Sequence, residues 1–252
     1  MKISNKNNRL ITNLESWKTA FIEVDKEKNW EEGRSACTLA KYFTTPNIEE
    51  SDGIKKIKEY LEALGYSNLK FTSAEIEHES RFDSFRGQGR MQDLVIWGES
   101  EKGSILTCIE AKVDEEFNEL LNKAYDNAKQ KFDETPRSNA KNRIEELCKK
   151  YLNVNAESIK SGDENNIRYQ LLYYLAGSIC EAKEYGNVVF MPIIVFKTNK
   201  YNETKREMNR EDYERFIEAL KFEKCNKEKG IFKRTFEGID VYISYIEIDF
   251  EN

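Results

Sequence analysis

The 252-residue chain has 40 Lys and Arg against 46 Asp and Glu, a formal net charge of −6, and 39% hydrophobic residues. That hydrophobic share can build a core, which excludes a wholly disordered chain. The apolar runs are far shorter than the roughly 20 residues of a membrane-spanning helix. Five cysteines without paired spacing, and no signal peptide, predict a cytoplasmic protein with reduced cysteines. We expect no association with a membrane. We expect one domain over residues 1–252.

Residues 1–50 predict a helical N-terminal extension. Within it the sequence Trp-Glu-Glu-Gly-Arg-Ser-Ala begins at Trp30, which we interpret as a core anchor, and contains Ser35, which we interpret as a helix cap. A second helix is predicted over residues 51–64. Ser51 is a suitable cap, Gly65 ends the pattern, and the apolar positions of one face lie between them at Ile54, Ile57, Leu61 and Leu64.

Three strands follow, at residues 70–82, 90–97 and 105–113. The last two are rich in β-branched residues and flank a polar turn at residues 98–103, which is the pattern of a hairpin. Residues two apart on a strand share a face, so Glu110 and Lys112 point the same way.

Asp93 on the first strand of this hairpin is expected on that same face. If Trp97 pairs with Ser104, Asp93 lies opposite Cys108 and diagonal to Glu110, about 7–8 Å away at the backbone. A slip of one residue would send Asp93 to the other face.

Two carboxylates and a lysine on an otherwise apolar hairpin predict a divalent metal site. Carboxylate oxygens suit Mg2+ or Mn2+, and such an ion activates water for attack on a phosphodiester. Glu-x-Lys alone is weak evidence, since it recurs at residues 181–183 and 203–205. The copy at Glu110 differs because it lies inside an apolar strand, directly after the strand that carries Asp93.

Residues 166–184 have helical periodicity, and residues 188–196 predict a buried strand. Gln170 and Tyr174 lie one turn apart on the helix, so both can face one ligand. The alternative is a core helix in which Tyr173 or Tyr174 serves only for packing.

With these motifs together, residues 50–197 resemble the PD-(D/E)XK nuclease superfamily, and within it the RecB-like branch. The residues that carry the resemblance are Asp93, Glu110, Lys112, Gln170 and Tyr174. Gln92, and not proline, precedes the aspartate. The resemblance implies an α/β fold with a restriction-endonuclease-like core: a mixed sheet of four or more strands flanked by helices.

The same resemblance implies the roles of the site residues. Asp93, Glu110 and the backbone carbonyl of Ala111 would hold Mg2+ (or Mn2+), Lys112 would activate water, and Gln170 and Tyr174 would position the substrate or the lysine. The upstream glutamate of the superfamily has three alternatives here: Glu59, Glu62 and Glu77. Glu115 is a further acid that could support the site.

An uncharacterised bacterial family grouped with these nucleases is similar as well. The shared features are the Trp-x-x-Gly-x-Ser-Ala segment, Glu77-His78 and the Arg-Tyr-Gln sequence at residues 168–170. His78 is the single histidine of the chain, and we interpret it as a surface or hydrogen-bonded residue.

The remaining regions bear on partners. Residues 114–165 predict a charged helical insertion, and residues 198–252 predict a helix at 211–222 and a hairpin at 231–236 and 239–248. The hairpin would extend the sheet or form the edge of a homodimer. Basic residues occur in the insertion and after residue 196. They are expected to form either a solvated helical face or an edge that contacts DNA.

The expected function is metal-dependent hydrolysis of DNA, in bacterial defence or DNA processing. One alternative is a catalytically inactive nuclease-fold module that binds nucleic acid or a protein. Another is a structural subunit whose acids face solvent on an edge hairpin.

Overall fold

The computed structural model describes residues 1–24, 27–135 and 137–250. The strands in these ranges are β1 (Lys2–Asn5), β2 (Leu10–Ile11), β3 (Lys70–Ser80), β4 (Arg90–Ser100), β5 (Gly103–Lys112), β6 (Val188–Lys197), β7 (Glu223–Asn226), β8 (Ile231–Phe236) and β9 (Ile239–Asp249). The α-helices are α1 (Leu14–Ile22), α2 (Ser35–Thr44), α3 (Asp52–Ala63), α4 (Leu121–Glu134), α5 (Ala140–Leu147), α6 (Tyr169–Tyr185) and α7 (Glu203–Ala219). Short 3-10 turns lie at Glu27–Asn29 and Ala156–Ser158, and a π turn at Cys148–Leu152.

The fold is α/β, with the described strands in one mixed sheet of order β2-β1-β3-β4-β5-β6-β9-β8-β7. Strands β3, β4 and β5 pair antiparallel, whereas β6 runs parallel to both β5 and β9. The chain order of α3, three antiparallel strands, α6 and β6 confirms the predicted order of elements.

Helix α3 shows how local sequence sets these elements. The Ser51 hydroxyl accepts a hydrogen bond from the Ile54 amide at 3.3 Å and so caps the first turn. Ile57 and Leu61 are buried on the inner face, and Gly65 follows the helix with φ +81°. The prediction for this helix is confirmed.

Alternation along β5 divides the core between the two faces of the sheet. Leu106 and Cys108 are buried against α4, α5, α6 and α7, while Ile105 and Ile109 are buried against α1, α2 and α3. Glu110 is an even-numbered position like Leu106 and Cys108, so it points to the α6 side. The sheet is therefore the middle layer, and Glu110 lies between it and α6.

The β4–β5 hairpin differs from the prediction in its turn and register. Both strands continue past residue 98, Ser100 pairs with Gly103, and Trp97 pairs with Leu106 instead of Ser104. The predicted register was wrong because the polar residues that we assigned to the turn extend the strands. The displacement is two residues, an even number, so the paired residues keep their faces.

Contrary to the prediction, Asp93 does not share the face of Glu110. Alternation is interrupted beside it: Gln92 contacts Ser178 of α6, whereas Leu94 is buried on the side of α1, α2 and α3. Asp93 lines a pocket on that second side.

Four further expectations need correction. Helix α7 begins at Glu203, not 211, because the Asn202 side chain caps it by accepting from the Lys205 amide at 3.0 Å. Helix α6 begins at Tyr169 and not at 166. The N-terminal extension is not only helical, since β1 adds to the sheet beside β3. Ser35 is not a cap but the first residue of α2.

Other expectations hold. The insertion is helical, and the C-terminal hairpin extends the sheet through the parallel pairing of β9 with β6. None of the helices in the described ranges is long and apolar enough to cross a membrane.

Candidate functional site

Glu110 lies at the centre of a buried polar cluster near the end of β5. It is 2% exposed. Its Oε1 atom accepts a hydrogen bond from Gln170 Nε2 at 2.6 Å and lies 3.0 Å from Lys112 Nζ, while Oε2 accepts from the Arg90 guanidinium. Burial raises the pKa of Glu110, but Arg90 and Lys112 outweigh burial, and the pKa is lowered. Glu110 is therefore a paired carboxylate.

Lys112 is fixed by the same cluster. The residue is 6% exposed, and its Nζ donates to Gln170 Oε1 at 3.3 Å and lies 5.2 Å from the centre of the Phe117 ring. Gln170 Oε1 also accepts from the Asn118 amide at 3.2 Å. The structure therefore brings together Glu110, Lys112 and Gln170, three of the residues chosen from the sequence.

Asp93 lies beside this cluster and reaches a pocket. Its side chain is half-buried, and Oδ2 accepts a hydrogen bond from the Ala111 amide at 2.8 Å. Burial, followed by the negative charges of Glu110 and Glu77, raises the pKa of Asp93 well above its usual value. Asp93 is thus close enough to Glu110 and to Glu77 to be repelled by both.

Glu77 is the glutamate that accompanies Asp93. It is 6% exposed and lines the same pocket, whereas Glu62 is exposed and Glu59 pairs with Lys56 at 2.9 Å on α3. Glu77 has a left-handed backbone, φ 49°, within β3. Such a conformation costs about 1–3 kcal/mol and is concentrated at functional sites. Glu77 is therefore the best supported of the three alternatives.

The acidic pocket, with a volume of about 490 Å³, lies between α1, α2 and the sheet. This volume lies within the range of small-ligand sites. Its lining mixes acids, cations and apolar side chains: Trp17, Phe21, Lys28, Asn29, Glu31, Arg34, Ser35, Ala36, Leu39, Glu77, Asp93, Ala111 and Glu115.

The Trp-x-x-Gly-x-Ser-Ala segment forms one wall of the acidic pocket. Arg34 Nη1 lies 3.2 Å from Asp114 Oδ1, and the Ser35 hydroxyl donates to Glu115 Oε1 at 2.8 Å. Trp30 is half-buried and packs on Phe21, with ring centres 5.5 Å apart, which supports its interpretation as an anchor. The sequence reasoning missed the contact of Ser35, although the motif itself was the signal for it.

Arg90 was also missed. It is 8% exposed, bonds to Glu110 and lies with its guanidinium carbon 5.6 Å from the centre of the Tyr174 ring. An arginine as the first residue of a buried strand was the available signal. His78, in contrast, points toward α6: Nδ1 lies 2.9 Å from Glu75 Oε1, and Nε2 lies 3.1 Å from Glu181 Oε1.

Tyr174 faces the backbone of the sheet instead of the acidic pocket. The fully buried hydroxyl donates to the Cys108 carbonyl at 2.5 Å and lies 3.3 Å from the Pro192 carbonyl. It therefore links α6 to β5 and β6.

Tyr174→Phe is expected to lower the free energy of unfolding by about 1–3 kcal/mol, because a buried carbonyl loses its donor. Urea unfolding measures this. The matched control is Tyr213→Phe, since the buried Tyr213 hydroxyl has no hydrogen-bond partner among the described residues; its removal should cost nothing. Equal losses in both variants would contradict this role for Tyr174.

Most basic side chains of the two predicted stretches form ion pairs with acids of the same chain. In the insertion, Arg143 lies 2.6 Å from Asp83 and Lys150 lies 2.8 Å from Glu237. After β6, Arg210 lies 2.6 Å from Glu247. Of the two basic side chains that line the acidic pocket, Lys28 and Arg34, Arg34 is likewise paired, with Glu31 at 2.6 Å and with Asp114 at 3.2 Å.

A family model described as a domain of unknown function, DUF6946, matches residues 10–250. The chain belongs to this family. No curated protein and no solved structure matches it. Family membership thus covers nearly the whole chain and assigns no activity, so the functional argument depends on the geometry of the site.

The donor set at the acidic pocket can be compared with the needs of a metal ion. Within the described ranges, no three His, Cys, Asp or Glu side chains form a group that could hold a metal. Mg2+ is commonly bound through only one or two carboxylates, with waters and substrate phosphate as the other ligands. Asp93 and Glu77 line one pocket, and a cation there would offset the burial and the charges of Glu110 and Glu77 that raise the pKa of Asp93. The residues present therefore fit Mg2+.

Proposed function

We propose that this chain is a Mg2+-dependent nuclease that hydrolyses the phosphodiester bonds of DNA with a PD-(D/E)XK-type site on a restriction-endonuclease-like core. The observation that carries the proposal is the buried contact of Lys112 with both Glu110 and Gln170, next to Asp93. Packing alone does not require this set of charged side chains, because buried ion pairs are seldom more stabilising than apolar residues of similar volume.

Asp93 would hold the ion together with Glu77 and the Ala111 carbonyl, while Glu110, expected as a ligand from the sequence, would keep its bonds to Arg90, Lys112 and Gln170. A bound Mg2+, or Mn2+, supplies polarisation of the phosphodiester and lowers the pKa of a coordinated water. Lys112, held in place by Glu110 and Gln170, would orient the attacking water and stabilise negative charge on the phosphoryl oxygens. Lys28, which lines the acidic pocket, would attract the phosphate backbone.

The role in the cell follows from analogy with the superfamily, in bacterial defence or DNA processing. A cytoplasmic location fits the cysteines, since all five, Cys37, Cys108, Cys148, Cys180 and Cys225, are free thiols.

A second candidate function is a catalytically inactive module that binds nucleic acid or a protein. One specific observation favours it: both carboxylate oxygens of Glu110 are already bonded, Oε2 to Arg90 and Oε1 to Gln170 and Lys112. A purely structural subunit is disfavoured, since its acids would face solvent and Glu110 is 2% exposed.

The experiment that tests the proposal uses purified protein with linear, circular and single-stranded DNA, and with RNA, in Mg2+, Mn2+ or EDTA. We expect metal-dependent cleavage of DNA that disappears in Asp93→Asn. The matched control is Asp249→Asn, whose side chain is 88% exposed at the end of β9 and whose activity should equal that of the wild type.

Cleavage by Asp93→Asn at the wild-type rate would contradict the assigned site. Absence of cleavage, together with absence of a Mg2+-dependent rise in melting temperature that Asp93→Asn abolishes, would favour the binding module. The circular substrate separates endonucleolytic from exonucleolytic cleavage.

A further inference from the structure

Arg90 is a buried cation within the candidate site, and no residue role above requires it. Its guanidinium bonds to Glu110 Oε2, and the residue is 8% exposed. Taking a charge out of water costs several kcal/mol unless an opposite charge compensates it. The position of Arg90 is therefore coupled to the charge of Glu110.

Close packing against α6 holds the Arg90 side chain in place. A Cβ atom at Gly177 would lie 2.9 Å from Arg90 Cβ and from Gln92 Nε2, so α6 approaches this closely only because residue 177 is glycine. The Tyr174 ring covers the guanidinium at 5.6 Å. The buried Arg90 Nε has no hydrogen-bond partner among the described residues. Packing, and not a full set of hydrogen bonds, therefore directs Arg90 at Glu110.

The oxygens of Glu110 are divided between two fixed cations. Oε2 accepts from Arg90, and Oε1 lies 3.0 Å from Lys112 Nζ and accepts from Gln170 at 2.6 Å. Two-metal sites usually share a carboxylate between ions about 3.5–4 Å apart. A second ion bridging Asp93 and Glu110 would have to displace Arg90 from a packed, buried position.

We propose that Arg90 is a positioning residue that restricts the site to a single divalent ion, held at Asp93, by taking the Glu110 oxygen that a second ion would need. This inference rests on the proposed function, because it presumes a metal at Asp93. In two-metal nucleases a second ion supplies positive charge to the site. Here the Arg90 side chain would supply that charge permanently.

The first test is the stoichiometry of Mn2+, measured by calorimetry and by the electron paramagnetic resonance of free Mn2+. We expect one Mn2+ per chain in the wild type and in Arg90→Lys, and two in Arg90→Met. Arg81→Met is the control, since the side chain of Arg81 is 70% exposed, and it should bind one. Two ions in the wild type, or one in folded Arg90→Met, would overturn the inference and leave the proposed function intact. No binding by the wild type would overturn both.

A second measurement does not depend on whether Arg90→Met folds. The ¹⁵N guanidinium resonance of Arg90, assigned by its disappearance in Arg90→Lys, should stay protected from solvent exchange in saturating Mg2+, because the pair with Glu110 persists. Loss of that protection on adding Mg2+ would mean that Arg90 leaves Glu110 when metal binds, and it would overturn the inference even if Arg90→Met does not fold.

Discussion

Replacing Lys112 by methionine is expected to slow metal-dependent cleavage of DNA by about 100- to 1,000-fold, the usual loss when one preorganised group that stabilises charge is removed. Methionine keeps the unbranched apolar stem beside the Phe117 ring, where Lys112 Nζ now lies 5.2 Å from the ring centre. Glu110 retains Arg90 as a partner in this variant, so the carboxylate is not left without a cation.

Single-turnover cleavage at several Mg2+ concentrations measures this effect and separates slower chemistry from weaker metal binding. Lys183→Met is the matched control: the side chain of Lys183 is 39% exposed on α6 and pairs with Glu237 at 2.5 Å. Its cleavage rate should stay within about two-fold of the wild type, since exposed ion pairs contribute little. A Lys112→Met rate within ten-fold of the wild type would show that the lysine is not the activating group.

The parts of the site that the sequence predicted are those governed by local periodicity. Glu110 and Lys112 share a face because strand side chains alternate, whatever the rest of the fold does. Gln170 meets them because α6 follows β5 in the chain order expected and packs on the same face of the sheet. The face of Asp93 was predicted wrongly, because alternation along β4 is interrupted between Gln92, which contacts α6, and Leu94, which is buried on the opposite side of the sheet.

The missing parts depend on contacts between distant segments. Ser35 and Glu115 are 80 residues apart, as are Arg34 and Asp114, so no local pattern could pair them. The choice of Glu77 over Glu59 and Glu62 depends on the left-handed backbone at one strand position. Arg90 was overlooked because a charged residue at the start of a strand is usually exposed. The first turns of helix α7 were missed because they are charged and lack the apolar periodicity that predicts a helix.

Removing the charge of Glu110 is expected to have the largest effect on stability. Glu110→Gln leaves the buried Arg90 and Lys112 without their carboxylate, and breaking a buried ion pair in this way costs about 3–5 kcal/mol. For a domain of this size the melting temperature should fall by about 10 °C. Urea unfolding at neutral pH measures the change in the free energy of unfolding.

Asp93→Asn, in contrast, is not expected to lower the free energy of unfolding. Burial and the charges of Glu110 and Glu77 raise the pKa of Asp93, so the ionised form is disfavoured in the fold, and a neutral amide whose oxygen can still accept from Ala111 should not lower stability. Glu184→Gln, on the exposed face of α6, is the neutral control and should change stability by less than about 0.5 kcal/mol. Similar losses for Glu110→Gln and Asp93→Asn would contradict the division of the site into one paired and one repelled carboxylate. A large loss of stability in Glu110→Gln alone would establish that division. Glu110 then holds Arg90 and Lys112 in place, and Asp93 is the acid whose negative charge a bound metal ion would compensate.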